Sequence, residues 1–191
     1  MKFQETRLSG AFILELEPRA DERGFFARTF CAREFSAHGL ETEFVQCNLS
    51  LNRQKGTLRG LHFQSAPWGE AKLVRCICGA IWDVIVDLRP GSPTFGAHEA
   101  VELSAENRRS LYIPKGFAHG FQTLTDNSEV YYQMSDPYVA DASAGIRAAD
   151  PALGIKWPLP VTQISNKDRQ LPLLAEIKDT LLRQPAHEVK A

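Results

Sequence analysis

The sequence predicts a mainly β domain, an antiparallel sandwich or barrel, from two observations. Most of the chain consists of short apolar runs separated by glycine, proline and other turn residues, without the long helical patterns that alternate with strands in α/β proteins. Within the run 80–88, the apolar positions 82, 84 and 86 alternate with a mixed face that carries Asp83 and Asp87. A period of two is typical of a strand, and the mixed face indicates that this strand borders a polar cavity.

The elements follow from the same patterns. Strands are predicted at 12–17, 24–30, 44–51, 57–64, 71–78, 80–88, 98–103, 110–113, 119–124 and 129–134. The fifth and sixth runs flank Gly79, a turn residue. A short helix is predicted at 32–38, and a carboxyl-terminal helix at 173–183, where Leu174, Ile177 and Leu181 have helical spacing. The polar residues from about 184 onwards are expected to be frayed.

Length and charge limit the possible functions. The 191 residues, 43% of them hydrophobic, fit a single domain spanning 1–191. The net charge of -1 gives no reason to expect a nucleic acid or an anionic membrane as a partner. Residues 1–7 lack the apolar run of a secretory signal, and no eighteen apolar residues follow one another, so a cytoplasmic protein is expected.

The four cysteines do not indicate a metal site. Cys76 and Cys78 form one C-x-C pair, whereas Cys31 and Cys47 are isolated, and no C-x-x-C occurs. We expect buried or partly buried free thiols.

The run 56–64 carries the first candidate catalytic group. In a regular strand Arg59 and Leu61 share one face and His62 the other, unless a bulge at Gly60 turns Arg59 and His62 the same way. An imidazole oriented by a carboxylate is suited to removing a proton at neutral pH, and Asp168 is the candidate carboxylate.

A metal site is the first alternative. His62 and His119 both lie among glycines, where a ligand can approach, and two histidines with a carboxylate can hold iron or zinc. However, there is no H-x-H or H-E-x-x-H motif, and Arg59 would place a positive charge near the metal. Proton transfer without a metal is therefore favoured, although each histidine taken alone is more often structural.

Two cations in predicted strands indicate an anionic ligand. Arg59 and Lys72 lie beside apolar residues, where an unpaired positive charge is costly. A diphosphate would satisfy both, with Arg23 and Lys167 nearby, and Lys72 could also stabilise a developing oxyanion. Neither a phosphate loop nor a dinucleotide-binding glycine motif occurs.

The adjacent tyrosines 131 and 132 must point to opposite faces of their strand. Tyr131 is expected to pack outwards. Tyr132 could then deliver a proton in the cavity from the side opposite a histidine base.

Taken together, these motifs closely resemble the dTDP-4-dehydrorhamnose 3,5-epimerase family. The resemblance runs from Asp21-Glu-Arg-Gly-Phe-Phe26 to Leu171-Pro172 and rests on Arg59-Gly-Leu-His-Phe-Gln64, Lys72-Leu-Val-Arg-Cys76, Asp83-Val-Ile-Val-Asp-Leu-Arg89, Ser92-Pro-Thr-Phe-Gly96, Ile113-Pro-Lys-Gly-Phe-Ala-His-Gly-Phe121 and Ser165-Asn-Lys-Asp168. It implies a cupin-type antiparallel jelly roll, a homodimer that exchanges strands, and no metal or organic cofactor.

The resemblance also implies roles for individual residues. His62 corresponds to the base, Asp168 to its orienting partner, Tyr132 to the opposing acid and Lys72 to the group that stabilises the enolate oxygen. The positions that match substrate-binding residues are Arg23, Gln46, Asn48, Arg59, His119, Tyr138 and Lys167. The expected reaction is epimerisation at C3, C5 or both of a nucleotide-diphospho-4-keto-6-deoxysugar.

Two positions depart from the family pattern, because Arg28 and Ser143 stand where a glutamate is common. They raise the hypothesis that the chain prefers a different nucleotide sugar. Two other functions remain open at this point: a metal-dependent cupin oxygenase using His62 and His119, and a jelly roll that binds nucleotide sugars without catalysis.

Overall fold

The computed structural model describes residues 1–183, and the predicted frayed end from about 184 lies outside these residues. The strands are β1 (Lys2–Glu5), β2 (Phe12–Glu15), β3 (Arg19–Asp21), β4 (Gly24–Phe26), β5 (Gln46–Asn52), β6 (Thr57–Gln64), β7 (Lys72–Cys78), β8 (Ala80–Asp87), β9 (His98–Ser104), β10 (Ser110–Ile113), β11 (Phe117–Thr123), β12 (Ser128–Met134), β13 (Ser143–Gly145) and β14 (Gln163–Ile164). The helices are α1 (Ala32–Ser36), α2 (Asn166–Arg169) and α3 (Leu174–Leu182), with 3₁₀ turns at Ala140–Ala142 and Pro151–Leu153.

Two sheets form the jelly roll that the sequence predicts. The first has the strand order β1-β2-β10-β7-β12-β5, and the second has the order β13-β6-β11-β8-β9, with β14 added in parallel to β6. The other pairs are antiparallel, and many neighbours are far apart in the chain, as the long crossovers of a jelly roll require. Strands β3 and β4 form a separate hairpin.

The alternation in β8 divides its side chains between two apolar clusters. Ile81 and Ile85 are fully buried in one cluster, together with Val74 of the first sheet. Val84 and Val86 lie in the other, which α3 closes with Leu174 and Leu181. Burial of each such aliphatic side chain contributes about 1.5–3 kcal/mol. Both faces of the second sheet are therefore covered, and its strands are held rigidly beneath the cavity described below.

Several predicted elements are shorter than expected. The strand predicted at 24–30 ends at Phe26, because its partner β3 has only three residues to pair with. The strand predicted at 12–17 ends at Glu15, which pairs with Lys2 at the start of β1. Helix α1 ends at Ser36 instead of position 38, and Gly39 with a φ of +67° follows. Four short strands, β1, β3, β13 and β14, and helix α2 were not predicted, because elements of two to four residues show no periodicity.

Two further expectations have mixed outcomes. Cys76 is buried and Cys31 partly buried, as expected for free thiols, but Cys47 and Cys78 are exposed. Among residues 1–183, no helix has the length and apolar character needed to cross a membrane.

Candidate active site

One cavity of about 1170 Å³ opens beside β5, β6, β11 and β12 and is closed at one side by the segment 162–169. Ten of the eleven predicted site residues line it: Gln46, Asn48, Arg59, His62, Lys72, His119, Tyr132, Tyr138, Lys167 and Asp168. The exception is Arg23, which lies in the exposed β3–β4 hairpin and pairs with Asp21. Most of the predicted site residues therefore share one cavity.

A bulge in β6 turns Arg59 and His62 to the same side, as the glycine at position 60 suggested. His62 is paired with His119 and Arg59 with Phe121, so three steps along β6 match two steps along β11. Gly60 has a φ of +100°, and a Cβ atom there would lie 2.7 Å from the Cα of Gly120. Because of the bulge, both polar side chains line the cavity.

His62 and Asp168 form a hydrogen-bonded pair. The Nε2 atom of His62 lies 2.7 Å from Oδ1 of Asp168, whose other oxygen accepts a hydrogen bond of 3.2 Å from the backbone N–H of Gly60. Ser165 caps α2 by accepting a hydrogen bond from the backbone N–H of Asp168 at 3.0 Å. Asp168 is only 4% exposed as a whole residue, whereas 43% of the His62 side chain is exposed. The cap, the bulge and the carboxylate together fix the ring while leaving it accessible.

The environment keeps Asp168 ionised. Burial alone would raise the pKa of this carboxyl group, but the hydrogen bond and charge of His62 and the hydrogen bond from Gly60 outweigh burial and lower the pKa below its ordinary value. With Nε2 directed at a carboxylate, the Nδ1 atom is the one left free to accept a proton.

His119 forms a second pair of the same kind. Its Nε2 atom lies 2.7 Å from Oδ1 of Asp83, and both residues are buried. The other oxygen of Asp83 is buried and has no hydrogen-bond partner among residues 1–183. Asp83 lies on the mixed face of β8, but no residue of β8 lines the cavity, so the polar cavity predicted beside this face is reached only through His119.

Lys72 forms an ion pair with a carboxylate of the same chain, which the sequence did not predict. Its Nζ atom lies 2.7 Å from Oε1 of Glu70, and the two side chains are only 9% and 4% exposed. Both line the cavity. Lys72 thus has the anionic partner that the sequence predicted it would need, but within the chain this partner is Glu70 and not a diphosphate.

Tyr132 points into the cavity and Tyr131 does not, as predicted. Burial is the main reason that the pKa of Tyr132 is raised; the charge of Glu70 adds to the rise, whereas Arg59 opposes it. The phenol therefore stays protonated at neutral pH and can act as a proton donor.

Four further lining residues, Gln46, Asn48, Arg59 and Tyr138, form a polar wall. Gln46 donates to Asn48 at 3.0 Å and accepts from the backbone N–H of Tyr138 at 3.0 Å. Arg59 donates from Nε to Asn52 at 2.6 Å, and within residues 1–183 no carboxylate forms an ion pair with it. Tyr138 is 54% exposed at the rim. Arg59 thus has unused donors at the cavity, and an anion would satisfy them.

The two departures from the family pattern lie in different surroundings. Ser143 lines the cavity, on β13 opposite Gln64. Arg28 is exposed, forms an ion pair with Glu34 and is not among the lining residues.

A metal site is not favoured by the described residues. Within 1–183, no three His, Cys, Asp or Glu side chains are arranged to hold a metal ion. His62 and His119 each direct Nε2 at a carboxylate instead.

Comparison with known proteins agrees with this geometry. Residues 5–176 match the family model of dTDP-4-dehydrorhamnose 3,5-epimerase. The chain is 48% identical over 179 residues to the dTDP-4-dehydrorhamnose 3,5-epimerase of Methanothermobacter thermautotrophicus, covering 92% of this chain and 95% of the relative.

Two solved structures are similarly close. The dTDP-6-deoxy-D-glucose-3,5-epimerase RmlC of Legionella pneumophila, in complex with dTDP-4-keto-L-rhamnose, superposes with a TM-score of 0.89 at 42% identity over 98% of both chains. ChmJ, a 3'-monoepimerase of Streptomyces bikiniensis in complex with dTDP-quinovose, gives 0.85 at 34% identity over 95% of this chain and 91% of its own. On this evidence the chain belongs to the dTDP-4-dehydrorhamnose 3,5-epimerase family, a family of isomerases.

Proposed function

We propose that this protein epimerises dTDP-4-keto-6-deoxyglucose at C3 and C5, through an enolate, to give dTDP-4-dehydrorhamnose. The observation that carries the proposal is the convergence of four groups in one cavity: the His62–Asp168 pair, Lys72 and Tyr132. A base, an oxyanion partner and a separate acid are the groups that inversion next to a ketone requires.

The first step is removal of a proton from carbon. Nδ1 of His62 takes the hydrogen from the carbon next to the C4 ketone, and Asp168 stabilises the resulting imidazolium. The electron pair of the broken C–H bond moves onto the ketone oxygen. The ammonium group of Lys72 stabilises this enolate oxygen.

The second step returns a proton to the opposite face. The hydroxyl of Tyr132 gives its proton to the carbon as the enolate collapses to the ketone, and the carbon is inverted. The imidazolium then loses its proton and the phenolate regains one, both by exchange with solvent. Because C3 and C5 both flank C4, a sugar ring that shifts in the cavity allows the same groups to act twice.

The nucleotide part would lie along the polar wall. Arg59 and Lys167 provide cations for the diphosphate, and the amides of Gln46 and Asn48 provide donors and acceptors for polar groups. Tyr138 at the exposed rim offers an aromatic face to the base. Because Nε2 of His119 is directed at Asp83, its Nδ1 atom would accept a hydrogen bond from a sugar hydroxyl.

We further propose a homodimer in which Arg23 acts in the cavity of the second copy. The β3–β4 hairpin that carries Arg23 is exposed, with 75% of Phe26 open to solvent. Edge strand β5 also presents Leu49 and Leu51, 60% and 49% exposed. Such apolar surface is typical of a protein interface. No metal or organic cofactor takes part in the proposed reaction, which we expect to occur in the cytoplasm, where nucleotide sugars are made.

Co-expression of two inactive variants tests the shared site. Arg23→Ala lacks the donated arginine and His62→Ala lacks the base, so a mixed dimer contains one intact cavity. Recovery of up to about a quarter of the wild-type activity is expected if the partner supplies Arg23. No recovery, with a monomer by light scattering, would contradict the shared site.

The reaction itself is tested with dTDP-4-keto-6-deoxyglucose in heavy water. Deuterium at both C3 and C5, with both carbons inverted, is the expected result by nuclear magnetic resonance. Deuterium at C3 alone would show that the protein inverts only one carbon, and the 3'-monoepimerase ChmJ is named for such an activity. Activity that disappears after exhaustive chelation and returns with iron or zinc would contradict the metal-free mechanism.

A further inference from the structure

Glu70 is a buried carboxylate at the cavity to which the proposed mechanism gives no task. It lies in the short loop before β7, its side chain is 4% exposed, and it lines the same cavity as Lys72 and Tyr132. Its carboxylate is 2.7 Å from the ammonium group of Lys72. We propose that Glu70 is a positioning residue, which holds the Lys72 ammonium group at the oxygen that becomes negative in the enolate; this inference rests on the proposed function.

The long side chain of Lys72 needs a contact that holds its ammonium group in place. A lysine carries its charge on four rotatable bonds, so its ammonium group stabilises a developing oxyanion only if another contact fixes it. Glu70 supplies that contact, and within residues 1–183 it is the only carboxylate in ion-pair distance of Lys72.

Burial of the Glu70–Lys72 ion pair costs free energy, because two charges are removed from water. Replacing a buried ion pair by apolar side chains is often neutral or even stabilising, so stability alone is a weak reason for this pair. The pair lines the wall of the cavity that also holds His62 and Tyr132. Its position therefore favours a role in the reaction.

The charge of Glu70 also acts on Tyr132. Burial raises the pKa of this phenol, and the charge of Glu70 raises it further. Glu70 thus acts electrostatically on the proposed acid while it contacts the proposed oxyanion partner. Its charge belongs to the reacting part of the cavity.

A double-mutant cycle tests the proposal. Glu70→Ala is expected to lower kcat by about 10- to 100-fold, the scale of a misplaced catalytic group. Lys72→Met should lower it at least as much. If Glu70 acts through Lys72, the double variant should be no slower than Lys72→Met by more than about twofold, since the second change has nothing left to misplace. Affinity for dTDP, measured by calorimetry, should stay within about twofold in all three variants.

Further variants separate positioning from folding. Lys72→Met removes the buried cation, so the double variant carries no unpaired charge and is expected to fold. Glu70→Gln keeps an oxygen that accepts from Lys72, and it should retain more activity than Glu70→Ala. Glu99→Gln is the matched control, because it breaks a 2.9 Å ion pair with Arg7 outside the cavity and should leave kcat unchanged.

The outcomes separate this inference from the proposed function. If the wild type exchanges deuterium and Glu70→Ala keeps its full kcat, the inference alone is overturned. It is also overturned if the losses in kcat of the two single variants multiply in the double variant. Reduced dTDP affinity at unchanged kcat would also overturn it, since Glu70 would then be a binding residue. A wild-type protein that exchanges no deuterium would overturn the proposed function and the inference with it.

Discussion

Asp168 lies 2.7 Å from Nε2 of His62, although 106 positions separate the two residues in the chain. The contact is made because α2 begins beside β6, where β14 pairs in parallel with the start of that strand. A short segment late in the chain thus supplies the carboxylate. Asp168 is held by hydrogen bonds with Gly60 and Ser165, and His62 by the pairing of β6 with β11 and β13.

Removal of the base should separate catalysis from binding. His62→Ala is expected to lower kcat by about 10²–10⁴-fold, the usual contribution of one general base. The affinity for dTDP should be nearly unchanged, because the polar wall remains intact. Asp168→Asn should cause a smaller but still large loss, through the orientation of the ring. Steady-state kinetics and calorimetry check both; near-normal turnover in His62→Ala would remove this residue from the role.

Tyr132→Phe should separate proton exchange from inversion. The base His62 is intact in this variant, so deuterium should still enter the substrate from heavy water. Formation of the inverted product should be impaired, because the opposite face lacks its proton donor. Magnetic resonance of substrate and product measures both. Equal losses of exchange and inversion would show that Tyr132 is a binding or packing residue, and Tyr131→Phe, outside the cavity, is the control.

The sequence predicted much of this architecture because the long strands carry clear signals. The alternation in β8 and the turn at Gly79 correctly predicted β7 and β8, and the opposite faces of Tyr131 and Tyr132 followed from period two alone. The short strands β13 and β14 were missed, since two or three residues carry no period and their pairing with β6 is set by tertiary contacts.

The site was predicted less completely than the strands. The contact between His62 and Asp168 depends on packing across the whole domain, so the sequence offered Asp168 only as a candidate carboxylate, and the family resemblance implied its role as the orienting partner. Glu70 was missed, because its burial beside Lys72 becomes evident only once the loop before β7 is placed. Arg23 was placed among the substrate-binding residues, but within this chain it lies away from the cavity.

The bulge at Gly60 provides a mutation with a matched control. Gly60→Ala would place a Cβ atom 2.7 Å from the backbone of Gly120 at a φ of +100°, so strain of about 1–3 kcal/mol is expected. Arg59 and His62 would both be displaced, and kcat should fall by about 10-fold or more. Gly154→Ala has a φ of +62° but open space, so it should cost only about 1–2 kcal/mol and leave kcat unchanged. Thermal unfolding and kinetics measure the two effects, and equal kcat values in both variants would contradict the role of the bulge.

Stability at acidic pH should depend on Asp168. Its pKa is lowered in the folded protein, because the hydrogen bonds from His62 and Gly60 outweigh burial. A carboxyl group of this kind stabilises the fold above its unfolded pKa of about 3.9, and this stability is lost as the pH falls through the lower folded pKa. Asp168→Asn should therefore flatten the fall in the free energy of unfolding below about pH 4. Urea titrations at several pH values give the slopes, and identical slopes in wild type and variant would contradict the assignment.

The nucleotide preference should depend on Ser143, which lines the cavity, and not on Arg28, which does not line the cavity of its own chain. Ser143 lines the cavity, so Ser143→Glu would add a negative charge and more volume close to the substrate, and we expect a higher KM for every nucleotide sugar and an altered ratio among them. Arg28 is engaged with Glu34 outside the lining, so Arg28→Glu should leave that ratio unchanged. Specificity constants for dTDP-, UDP-, CDP- and GDP-linked 4-keto-6-deoxysugars in the wild type and both variants decide the matter. A changed ratio in Arg28→Glu would mean that this residue reaches a cavity after all, and within the proposed dimer that cavity would belong to the second copy.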